Sequence, residues 1–190
     1  MNNLHCKPCT LITIFALIAT VGSYFAGCAV NSKPGLGSNT TQSKYEGQPQ
    51  SGTGIGQFAP DFNISTLDGS SISLEKLKGK PVMLVFWTAW CPSCKEEAPK
   101  VNRIHNQFSD SGLQVIGINI GESDARIREG IRDFGIQYIV AKDPATSVSK
   151  SYNVVGTPTV VILDKQGKVQ YFGNEVPRNP EEVIKPLLES

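Results

Sequence analysis

Apolar and polar positions divide the chain into three stretches. Thr10 to Val30 (TLITIFALIATVGSYFAGCAV) is uncharged and mostly apolar or small, while Asn31 to Gly56 has almost no large apolar side chains. From Gln57 onward, apolar runs and helical periodicity alternate. Phe62–Leu67 and Ser71–Ser73 read as short strands around an Asp68-Gly69 turn, followed by a helical turn at Leu74–Leu77. Val82–Trp87 (VMLVFW) is apolar without alternation, as a strand covered on both faces requires. A helix is predicted from near Cys91 to about Phe108. Val101, Ile104 and Phe108 recur at its spacing, and Pro99 is expected to kink it. Leu113–Ile120 is a further strand, and Ser123 caps a helix ending near Phe134-Gly135. Tyr138–Ala141 reads as a short strand and Pro144–Tyr152 as a helix with proline in its first turn. Thr159–Leu163 and Lys168–Phe172 form a hairpin through Asp164-Lys165-Gln166-Gly167, and a last helix starts near Pro180-Glu181. The order β-α-β-α-β-α-β-β-α implies an α/β fold, a mixed sheet with helices on both faces.

With 190 residues, 39% of them hydrophobic and 18% charged, the composition suits one folded domain plus appendages. Eighteen Lys+Arg against 17 Asp+Glu leave no electrostatic footprint for nucleic acid. Five cysteines are too few for a disulfide-stapled miniprotein. Residues 1–30 read as a signal peptide or anchor. The uncharged stretch is about 20 residues long, enough to span a bilayer, and Lys7 precedes it. Residues 31–56 are rich in Gly, Ser, Thr, Gln and Pro and read as a flexible linker to a domain at 57–190. Phe25-Ala26-Gly27-Cys28 resembles the lipobox of bacterial lipoproteins, with Phe25 where Leu is usual, and implies acylation at Cys28. An uncleaved membrane helix and release as a secreted protein are the alternatives. All three put the domain outside the cytoplasm. The Cys6-Lys7-Pro8-Cys9 pair has C-x-x-C spacing but falls in this leader, with no strand before it.

The chemistry concentrates at Trp90-Cys91-Pro92-Ser93-Cys94, which directly follows the apolar strand and opens a helix. A zinc site needs four ligands, and the domain at 57–190 offers only His105 besides this pair. A structural staple gains little here: closing so short a loop is worth about 2 kcal/mol, against about 4.7 for a 100-residue loop. Redox exchange fits better. Cysteines three apart at a helix start lie within bridging range. Cys91 faces unpaired N–H groups and the positive end of the helix dipole, which favour thiolate. Cys94, one turn further in, is expected to be the more buried and to act as the resolving thiol.

Val85-Phe86-Trp87-Thr88-Ala89-Trp90-Cys91-Pro92-Ser93-Cys94, with Pro99 beyond and Val155-Gly156-Thr157-Pro158-Thr159 later, resembles the thioredoxin superfamily. Ala59-Pro60-Asp61-Phe62, Lys78-Gly79-Lys80-Pro81, Gly121-Glu122-Ser123 and an extra strand–helix between Leu113 and Ala141 resemble the membrane-tethered TlpA/ResA-type thiol-disulfide oxidoreductases. The resemblance implies a thioredoxin-like fold with an N-terminal β extension and an enzyme that reduces disulfides in client proteins such as apocytochrome c. It implies a membrane-embedded thiol donor as electron source, with no cofactor and no metal. Pro158 matches the family's cis-proline, whose loop, with Thr157, is by this resemblance expected to pair with the substrate backbone. The buried acid of thioredoxins is replaced by Val85. Glu97, three residues after the second cysteine, matches a ResA-like glutamate and is expected to share a face with Cys94 and relay its proton. The alternative is that Glu96 and Glu97 only complement the helix N-terminus. Trp90 is expected to shield the disulfide from solvent or to pack, and His105 to sit at a solvated helix edge.

Two other readings compete. A peroxiredoxin-like thiol peroxidase shares the entry segment and Thr88, but its signature wants proline where Leu84 stands. A Sco-like copper-delivery protein wants wider cysteine spacing and a histidine beyond residue 105.

Overall fold

The structure is a computed structural model that describes residues 51–190. The leader calls at Cys6, Cys9 and Cys28 lie outside the described residues. Seven strands form one sheet in the order β2-β1-β5-β4-β3-β6-β7. The strands are β1 (Asn63–Thr66), β2 (Ser71–Ser73), β3 (Val82–Trp87), β4 (Gln114–Ile120), β5 (Ile139–Asp143), β6 (Thr159–Leu163) and β7 (Val169–Gly173). Among the described residues four helices lie between strands, α1 (Leu74–Leu77), α2 (Pro92–Phe108), α3 (Asp124–Phe134) and α4 (Ser147–Ser151), and α5 (Pro180–Glu189) follows β7. β3, β4 and β5 run parallel, while β6, β7, β1 and β2 pair antiparallel, so the sheet is mixed as expected.

Strand alternation sorts the core into two layers. Val82, Leu84 and Phe86 pack with Ile116, Ile118, Val161 and Leu163 against α1 and α4. Met83 and Val85 point the other way, with Val115, Val160 and Ile162, against α2 and α5. β3 is buried along its whole length, which explains its unbroken apolar run. Side chains this deeply buried stabilise the fold by about 1.5–3 kcal/mol each.

Three expectations need correction. Residues 51–56, assigned to the linker, are hydrogen-bonded to the domain: Gly52 N–H donates to Phe58 O (2.8 Å) and Gly56 N–H to Val169 O (2.7 Å). The helix expected at Pro144–Tyr152 is only α4, Ser147–Ser151. Thr146 takes a left-handed conformation ahead of it (φ 56), and the buried Asp143 carboxylate accepts from the N–H groups of Ser147 (2.9 Å) and Ser149 (2.8 Å). This side-chain competition holds residues 144–146 out of the helix. The strand expected at Tyr138–Ala141 begins one residue later and runs to Asp143.

Candidate active site

β3 delivers the chain into a turn at Thr88–Cys91, closed by Cys91 N–H donating to Thr88 O at 3.2 Å. Cys91 is the N-cap of α2, with extended backbone (φ −87, ψ 111) and Pro92 behind it in the first turn. Its Sγ takes the place of a capping oxygen, accepting the Cys94 N–H at 3.2 Å. The helix start that the sequence places at Cys91 therefore aims a backbone donor at the sulfur. The thiol in turn donates to the Thr157 carbonyl at 3.3 Å.

That second contact comes from the far end of the domain. β6 pairs antiparallel with β3, Phe86 opposite Thr159, which sets the residues before β6 beside the turn after β3. The Thr157–Pro158 peptide is cis, as the resemblance implied. Asn174, just after β7, donates its amide to Pro158 O at 3.1 Å and braces this loop.

Both cysteines are free and nearly inaccessible, 5% exposed for Cys91 and 4% for Cys94. The expected contrast in burial is absent. Cys94 is distinguished by its surroundings instead. Burial, and secondly its hydrogen bond with Cys91, pushes its thiol from 9.0 up to about 12. It lines a small cavity with Trp87, Glu97, Tyr138 and Pro158. Burial also pushes the Tyr138 phenol up, and negative charge on Cys94 and Glu97 adds to the effect. A larger cavity, about 550 Å³, opens between the β1–β2 turn and α3; its lining includes neither cysteine and shares only Tyr138 with the first.

Glu97 is buried at 5% exposure, whereas Glu96 is exposed. Glu97 thus lies on the Cys94 side of α2 rather than on a solvated face. Its carboxylate accepts from Val176 N–H at 2.6 Å and from Lys100 Nζ at 2.7 Å. Trp90 is 67% exposed next to Cys91, so it is not a packing residue. His105 departs from the solvated edge expected of it. Its ring meets Tyr138 edge-on at 6.3 Å and its Nδ1 is shut off from water without a partner. Val85, where a thioredoxin has its acid, is buried at 3% exposure.

Sequence reasoning gave no role to three contacts. Glu122 accepts the Ala89 N–H at 2.7 Å, Asn174 holds Pro158, and Val176 holds Glu97. Glu122 stood in a noted motif; Asn174 and Val176 left no local signal, because their partners are distant in sequence.

Comparisons with known proteins agree with this geometry. A family model described as the AhpC/TSA family matches residues 55–172. Thiol-disulfide oxidoreductase ResA of Bacillus thuringiensis subsp. konkukian is 32% identical over 135 residues, covering 70% of this chain and 78% of that one. ResA of Bacillus anthracis is 33% identical with the same coverage. The thioredoxin domain of a thiol-disulfide oxidoreductase from Bacteroides vulgatus matches with a TM-score of 0.65 at 26% identity, covering 70% of this chain and 98% of that one. This chain belongs to the AhpC/TSA family and is, like its ResA relatives, a thioredoxin-fold thiol-disulfide oxidoreductase.

Proposed function

We propose that this oxidoreductase works outside the cytoplasm as a reductase of client-protein disulfides, with the Cys-x-x-Cys-His segment of apocytochrome c as its leading client. The observation that carries the reading is the placement of Cys91 Sγ between the Cys94 N–H and the Thr157 carbonyl. Developing negative charge on the sulfur is met by a backbone donor, and the half-buried Thr157 backbone beside it is the edge on which an extended client would pair.

Cys91 thiolate attacks one sulfur of the client disulfide, and the other leaves as a thiolate. Cys94 then gives its proton to Glu97 and attacks Cys91 Sγ, releasing the second client thiolate. The client gains two electrons, and the enzyme is left with a Cys91–Cys94 disulfide. A membrane-embedded thiol donor restores the dithiol. A thiol held near 12 is almost entirely protonated at neutral pH, so the resolving step needs a base, and Glu97 shares its cavity. Exposed Trp90 shields the attacking sulfur from the solvent side.

Cys94→Ala removes the resolving thiol and is expected to trap the client on Cys91. Recovery of c-type apocytochromes from the trap supports the reading; a broad set of secreted proteins argues for general reduction instead. The potential is expected near thioredoxin's roughly −270 mV, and a value above about −150 mV would exclude a reductase.

Glu97→Gln is expected to slow resolution of the mixed disulfide at least about tenfold at neutral pH. It leaves the melting temperature nearly unchanged, because the amide oxygen still accepts from Val176 N–H and the lost ion pair with half-exposed Lys100 is worth little. An unaltered pH profile of resolution would remove the relay. Anchoring through an acylated Cys28 is tested by mass spectrometry of the mature N-terminus. A chain still beginning at Met1 in the membrane would mean a helical anchor.

A further inference from the structure

Disulfide exchange leaves the Gly121-Glu122-Ser123 motif without a role. Glu122 Oε2 accepts two hydrogen bonds, from Ala89 N–H at 2.7 Å and from Asn119 Nδ2 at 2.7 Å. Asn119 is fully buried near the end of β4, in register with Trp87 of β3. Ala89 is the second residue of the Thr88–Cys91 turn. The N–H at that position has no acceptor inside such a turn and must find one outside. Glu122 supplies it.

A second, independent contact fixes the same residue. α3 approaches through Gly130, where an added Cβ would lie 2.7 Å from Ala89 Cβ and 2.8 Å from the Trp87 ring. The strand–helix unit β4–α3 therefore grips the segment that carries the nucleophile, by a carboxylate and by close backbone approach.

We propose that Glu122 is a positioning residue for Cys91: it fixes the turn and so holds Sγ on the Cys94 N–H. The proposal rests on Cys91 being the exchanging thiol. A hydrogen bond to sulfur stabilises thiolate only while distance and angle are kept, so a loosened turn raises the pH at which Cys91 ionises. The carboxylate charge alone acts in the opposite sense, since a nearby negative charge disfavours thiolate. Position and charge can therefore be told apart.

The experiment follows alkylation of Cys91 by iodoacetamide against pH in the reduced full chain, read on the Cys91 peptide by mass spectrometry. It needs no client, so it stands whether or not the client assignment does. E122Q keeps an acceptor oxygen and loses the charge. E122D keeps the charge and falls a methylene short of Ala89. E122A loses both. The midpoint is expected to rise by at least about half a unit in E122D and E122A, about a threefold slower reaction at pH values well below it, and to stay at the wild-type value in E122Q. Melting curves check that each variant is folded. If E122A is not, E122D against E122Q carries the comparison. Any other ordering overturns the proposal, including lowered melting temperatures with unmoved midpoints, or a fall in E122Q and E122A together.

Discussion

Cys91→Ser is expected to lower reduction of a protein disulfide such as insulin's to background while leaving the domain folded. The hydroxyl is not ionised at neutral pH and cannot enter a disulfide, so the first covalent step disappears. The helix does not suffer. Cys91 caps α2 by accepting the Cys94 N–H, and serine is among the preferred residues at that position. The melting temperature should therefore hold or rise as activity vanishes, which separates a chemical loss from an unfolding. Activity near the wild-type rate would remove Cys91 from the reaction.

Trp87→Ala is expected to have the largest effect on stability and to reach the chemistry through packing. Trp87 is 2% exposed and packs with Cys91, Cys94, Ile127 and Val140, its ring tilted against Phe134 at 5.7 Å. Truncating so large a buried side chain costs about 3–5 kcal/mol. The space left adjoins the cavity beside Cys94, and water admitted there weakens the burial that holds this thiol near 12. Cys94 should then titrate closer to 9.0, as alkylation against pH read on the Cys94 peptide of Cys91→Ser and Cys91→Ser/Trp87→Ala proteins would measure. Trp87→Phe is the contrast. The indole Nε1 has no hydrogen-bond partner, so phenylalanine forfeits no bond and should cost less than alanine. An unshifted thiol in the alanine variant would mean that burial by Trp87 does not set it.

Much of this was legible in the sequence because it is local. The unbroken run at Val82–Trp87, the capping Ser123, Gly135 at the end of α3 and the C-x-x-C at a helix start are each written within a few residues. The misreadings have a shared cause. Pro144 looked like the start of a helix, but the buried carboxylate of Asp143 claims the N–H groups of Ser147 and Ser149 and delays it. Ser51–Gly56 looked too polar to fold, yet backbone pairing with Phe58 and Val169, which composition does not encode, ties it down. His105 looked solvated because its helix face depends on where Tyr138 falls, a residue on the approach to β5. In the site, Cys91, Cys94, Thr157 and Pro158 were readable from two motifs. The contacts made by Glu122, Asn174 and Val176 needed the tertiary fold.

The antiparallel pairing of β6 with β3 also decides when the site comes into being. A chain is made from its N-terminus, and domains complete themselves as their last pieces arrive. Until Thr159–Leu163 has been synthesised, β3 has no neighbour on that side, and Cys91 lacks the Thr157 carbonyl that meets it in the finished protein. Val82–Trp87 can pair with β4 earlier, since that partner follows through a single helix. Cys91 thus exists as a cysteine long before its finished surroundings do. An unfinished chain holds both cysteines without the carbonyl that meets Cys91, and that contact arrives with the final third of the sequence.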